Sequence, residues 1–114
     1  MSLDLDAVVK AMGAAASASL AGDWATIKGY APTEFRKIAI QLADIAANVA
    51  LYDHDPHDGF SPEVGKVLLE MQIHSAESVL VAVTALTITA VRKALKAALD
   101  TAVSMIGGAL LAVV

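Results

Sequence analysis

The sequence predicts an all-α domain: a helical hairpin or bundle of three main helices with a long C-terminal helix, expected to be oligomeric. Of the 114 residues, 57% are hydrophobic, many of them alanine, and 18% are charged. Soluble domains are typically about 45–50% apolar and about 25% charged. Apolar side chains also recur at three- and four-residue steps, and glycine and proline fall between the periodic segments. The chain length fits one domain.

The first helix is expected over residues 4–20, and glycine and aspartate follow its end. Its predicted apolar face consists of Leu5, Val8, Met12, Ala15 and Ser19. Residues 22–32 contain two glycines and one proline and are predicted to form a linker. Trp24, the only tryptophan, is expected to anchor this linker to the core.

The second helix is expected over residues 33–52, with Thr33 as its cap and Glu34 in the first turn, where an acid complements the helix dipole. Its apolar positions alternate at steps of three and four, which is the spacing of helices that pair along a seam. These positions are Phe35, Ile38, Leu42, Ile45, Val49 and Tyr52.

The third helix is expected over residues 62–106 after a polar turn that contains Pro56 and Gly59, which would make the second and third helices an antiparallel hairpin. Ser61, Pro62 and Glu63 form a strong helix start. No glycine or proline lies between Lys66 and Ile106, so a continuous helix is favoured over a break near residues 87–89. An apolar tail is expected over residues 107–114.

A helix of that length would span about 65–70 Å, more than twice the length of the second helix. Residues 78–91 contain no charged side chain. A helix that is apolar all round is normally surrounded on all sides, and a second copy of the chain would supply the missing surface. The residues predicted to mediate self-association are Ser75, Ser78, Ala82, Ala85, Leu86 and Thr89.

The favoured function is therefore a non-enzymatic structural or assembly protein that forms a homo-oligomer, with the cytoplasm as the default location. The absence of cysteine excludes disulfides and thiolate metal sites. The net charge of −4 and the scattered basic residues do not match a nucleic-acid footprint. No nucleophile elbow or phosphate-binding glycine loop is present, and no small-molecule substrate can be identified.

A metal- or haem-binding bundle is one alternative, although no cofactor is expected under the favoured function. Glu70, His74 and Glu77 share one helix face, and Asp44 would lie near Glu70 in the hairpin. Carboxylates and a histidine could bind a transition metal, and two copies could complete such a site. The simpler interpretation is a solvated stripe in which Lys37 pairs with Glu77.

Peripheral contact with a membrane or lipid surface is the other alternative, through residues 92–114. The charge-free segments 78–91 and 101–114 are each shorter than the about 20 residues that a transmembrane helix requires. Four charged residues separate these segments. The sequence therefore favours a helix buried in an oligomer over one that spans a bilayer.

Overall fold

The computed structural model describes residues 4–108 and confirms an all-α fold in which four helices pack together. Helix α1 spans Leu5–Leu20, and a 3₁₀ turn at Ala21–Asp23 leads into the short helix α2, Trp24–Ile27. Helices α3, α4 and α5 follow at Ala31–His54, Pro62–Thr84 and Ile88–Ile106. The predicted tail lies outside the described residues beyond Gly108.

The most extensive helix–helix contact joins α1 to α5. Helix α3 packs against α1, α4 and α5, whereas α1 and α4 make few contacts with each other. Helices α1 and α4 therefore lie at opposite sides of the bundle, with α3 and α5 between them. Helix α4 has less extensive contacts with the rest of residues 4–108 than the other long helices.

The start of α1 is fixed by Asp4, whose Oδ1 accepts a hydrogen bond from the backbone N–H of Ala7 at 3.1 Å. An aspartate in this position satisfies one of the free N–H groups of the first turn. Val8 and Met12 are buried, as predicted. Further along, the buried face runs through Ala16 and Leu20 instead of Ala15 and Ser19.

The predicted linker contains helix α2 and ends two residues early, because α3 already begins at Ala31. Ile27 is fully buried and Trp24 packs half-buried against the core. The prediction that Trp24 anchors this segment is therefore confirmed.

The apolar seam of α3 is also confirmed. Phe35, Ile38, Leu42, Ile45 and Val49 are all buried, and Tyr52 at the end of the seam is half-buried. The polar turn at residues 55–61 then reverses the chain into α4. Ser61 caps α4 by accepting a hydrogen bond from the N–H of Val64 at 3.3 Å.

The predicted continuous helix over residues 62–106 is wrong, because the chain turns at Ala85. Ala85 adopts left-handed backbone angles of φ 58° and ψ 14°. The hydroxyl of Thr84 donates to the carbonyl of Leu80 and accepts from the N–H of Leu86. Thr87 then caps α5 by accepting from the N–H of Ala90 at 3.2 Å. Threonine side chains thus supply the hydrogen bonds that end one helix and start the next.

We expect Ala85→Gly to stabilise the fold by about 0.5–1 kcal/mol, because glycine adopts left-handed angles without the steric cost of a Cβ. In an uninterrupted helix the same change would cost about 1 kcal/mol. Urea unfolding followed by circular dichroism shows whether Ala85→Gly raises or lowers the free energy of unfolding. Ala47→Gly, at an exposed site inside α3, is the matched control and should destabilise.

We expect Gly59→Ala to destabilise the fold by at least about 2 kcal/mol. Gly59 has a φ of +64°, and a Cβ there would lie 2.0 Å from the carbonyl oxygen of Asn48. Gly29→Ala is the control, since a Cβ at Gly29 meets nothing within 4 Å. Equal unfolding free energies for the two variants would show that the close approach at Gly59 is not required.

Candidate self-association surface

The outward side of α4 carries a stripe of exposed apolar and small residues. Val64, Val67 and Met71 are 45%, 55% and 63% exposed, which is unusual for side chains of this kind on one helix face. Ser75, Ser78 and Ala82 continue the line and are exposed as well. The steps between these six residues are three or four, so all of them lie on one side of the helix. We call these six residues the α4 stripe.

The opposite side of α4 forms part of the core. Leu69, Ala76 and Leu80 are buried there, in the hydrophobic cluster that also includes residues of α1, α3 and α5. Helix α4 therefore has two apolar sides, of which residues 4–108 cover one. The charged residues of α4 lie on one flank between them, with Glu70 exposed and Glu77 buried.

Of the six residues predicted to mediate self-association, three lie on the α4 stripe and three lie elsewhere. Ser75, Ser78 and Ala82 lie on the α4 stripe. Ala85 forms the turn, Leu86 packs half-buried against the core, and Thr89 lies exposed in the first turn of α5. An uninterrupted helix would have aligned all six, and the turn at Ala85 separates the last three from the stripe.

Sequence reasoning missed Val64, Val67 and Met71, the largest members of the stripe. Their spacing was a signal that could have identified them, because the sequence carries a second apolar line on the side opposite Leu69 and Leu80. Most of that line precedes the charge-free segment, which begins only at Ser78.

The four candidate metal ligands are not brought together within one chain. Asp44, Glu70 and His74 are exposed, while Glu77 is buried. Among residues 4–108, no group of three histidine or acidic side chains is arranged to hold a metal ion. Binding of a transition metal or haem remains a prediction that would require a second copy.

Glu77 pairs with Arg92 of α5, with 3.0 Å between Oε1 and Nε. The expected pair between Lys37 and Glu77 is therefore wrong. Lys37 instead lies 3.2 Å from the carboxylate of Glu34, the neighbouring acid on α3. Glu34 is buried at the start of α3, and its other oxygen has no hydrogen-bond partner among the described residues.

A shallow groove between α4 and α5 is crossed by the Glu77–Arg92 pair. Ile73, Leu95 and Leu99 line the part on one side of the pair. Val81 and Ile88 line the part on the other side. Arg92 and Lys96 at the rim already have acidic partners, Glu77 and Asp100, so their charges are paired within the chain.

No protein-family model matches this chain, and no curated protein or solved structure matches it either. By length and composition, α4 is the one helix within residues 4–108 that could cross a membrane. Core helices of soluble proteins can pass the same test, and α4 supplies part of this core.

We expect Arg92→Ala to destabilise the fold by about 1–2 kcal/mol, because it leaves the buried carboxylate of Glu77 without its partner. Lys96→Ala is the matched control on the same helix. Lys96 pairs with Asp100 at the surface, where both side chains are exposed, so its loss should change stability by less than about 0.5 kcal/mol. Urea unfolding of both variants measures the difference, and equal effects would contradict a structural role for the Glu77–Arg92 pair.

Proposed function

We propose that this protein is a non-enzymatic assembly protein whose copies associate through the α4 stripe. The observation that carries the proposal is the exposure of Val64, Val67 and Met71 on a helix whose other side is already in the core. Monomeric soluble proteins rarely expose large contiguous apolar patches, and such patches commonly mark sites of interaction.

The stripe has the dimensions and chemistry of a helix-packing surface. It extends over 19 residues, from Val64 to Ala82, which corresponds to about 27 Å along the helix. None of its six members is charged, so no charge has to leave water when another helix covers it. The three- and four-residue steps are those at which side chains of paired helices interlock.

The apolar segment at the end of α4 supports the same proposal. Val83 and Ile88 are 44% and 46% exposed, although Leu80 between the helices is fully buried. The described part of the chain therefore leaves its charge-free segment partly exposed. A second copy of the chain can cover this apolar surface, and it is present wherever the protein itself is present.

Contact with a lipid surface is the second candidate, because α4 has the length and apolar content to cross a bilayer. A membrane-spanning α4 would place Lys66, Glu70 and Glu77 in the bilayer. Each charged side chain at the centre of a bilayer costs a few kcal/mol, so this placement is unfavourable. The predicted lipid contact through residues 92–114 is also unfavourable. Leu95, Ala98 and Ala102 of α5 are buried in the core and would have to leave it.

Size-exclusion chromatography with light scattering tests the proposal. From about 10 μM to about 1 mM protein, the mass of the wild-type chain should rise above 11.7 kDa. Met71→Glu should keep the chain monomeric and folded, because the new charge lies at an exposed site in the centre of the stripe. Ile40→Glu is the control, since Ile40 is 51% exposed on α3 and lies outside the stripe.

A wild-type chain that stays monomeric throughout this range would remove the proposal. Equal loss of association in Met71→Glu and Ile40→Glu would show that the stripe is not the interface. If the wild-type monomer floats with liposomes and Met71→Glu does not, the stripe binds lipid instead of a second copy.

A further inference from the structure

The residues of the α4 stripe differ in size between its two halves. The half towards the start of α4 carries the bulky side chains of Val64, Val67 and Met71. The half towards the end carries Ser75, Ser78 and Ala82, which are small. All of these side chains are exposed, so neither half is filled by another part of the described chain.

We infer that two copies of α4 pair antiparallel about a two-fold axis that passes close to residue 73, an inference that rests on the proposed function. In this register, Met71 faces the partner's Ser75 and Val67 faces the partner's Ser78. Val64 faces the partner's Ala82 at the end of the contact. Each bulky residue therefore meets a small one, and the symmetry repeats each contact on the other side of the axis.

A parallel pair would match the residues poorly. It would place Met71 against Met71 and Ser75 against Ser75, so that one half of the contact would be crowded and the other would contain gaps. Helix interfaces pack as densely as protein interiors, and both overpacking and unfilled space are unfavourable. The antiparallel arrangement gives the same helix separation along the whole stripe.

The helix dipoles favour the antiparallel pair, and the charges on the flank of the stripe allow it. Glu63, Glu70 and His74 lie on one flank, and equivalent flanks meet when two identical helices pack antiparallel. Glu70 then lies about 1.5 Å along the axis from the level of the partner's Glu77, and the carboxylate of Glu77 is already paired with Arg92 of its own chain. The helix dipoles of an antiparallel pair point in opposite directions, which is favourable.

The dimensions of the contact set its strength. A strip about 27 Å long and one helix diameter, about 10–12 Å, wide covers roughly 300 Å² of each copy. Stable interfaces bury about 800 Å² per partner. The pair should therefore be reversible, and it should dissociate when the protein is diluted.

The chain contains no cysteine, so single cysteines can be introduced and spin-labelled without background. Glu63→Cys and Glu70→Cys place labels on the flank, where they leave the stripe intact. In the antiparallel pair, the two Glu63 sites lie about 30 Å apart along the axis and the two Glu70 sites about 9 Å apart. Pulsed electron resonance should therefore give a longer distance at residue 63 than at residue 70, with a difference of more than about 10 Å.

Ile40→Cys is the control on α3, outside the stripe. Equal short distances at residues 63 and 70 would show a parallel pair and overturn this inference, while the proposed function would stand. A defined short distance at residue 40 alone would show that another face associates and would overturn both. A monomeric mass by light scattering, with no dipolar signal at any site, would remove the proposed function itself.

Discussion

The turn at Ala85 is the constraint on which the rest of the fold depends. Because the chain reverses there, α5 returns beside α1 and α3, and Val91, Leu95 and Ala98 enter the core. Helix α4 is left beside α3 and α5, at the side of the bundle away from α1. The same turn therefore completes the core and leaves the α4 stripe uncovered by the rest of residues 4–108. An uninterrupted helix would have moved the apolar face of α5 away from this core altogether.

The helices were predicted well where side-chain spacing alone determines the structure. The seam of α3 is an example, because three- and four-residue steps of Phe35, Ile38 and Leu42 specify both the helix and its buried side. The turn at Ala85 was not predictable by the same reasoning, which required glycine or proline to end a helix. Here Thr84 and Thr87 supply the terminal hydrogen bonds through their side chains. An alanine then accepts left-handed angles because burial of α5 in the core compensates for the local cost.

The candidate surface was predicted in part. Small residues at three- and four-residue steps identified Ser75, Ser78 and Ala82, but the bulky half of the stripe was missed. Pairing of charges was harder to anticipate, because it depends on which helices become neighbours. Lys37 and Glu77 were matched on the assumption of a simple hairpin, whereas the return of α5 brings Arg92 to Glu77. Spacing thus predicts which side chains share a face, and only the tertiary arrangement determines their partners.

The close packing of α1 against α5 has a consequence for synthesis of the protein in the cell. These helices are separated by most of the chain, from Leu20 to Ile88. At about 5–20 residues per second, several seconds pass between their translation. Throughout that interval the buried side of α1, which includes Val8 and Met12, lacks the cover that α5 supplies. The bundle can therefore form only after translation of α5. Until then the growing chain exposes apolar surface that the folded bundle buries.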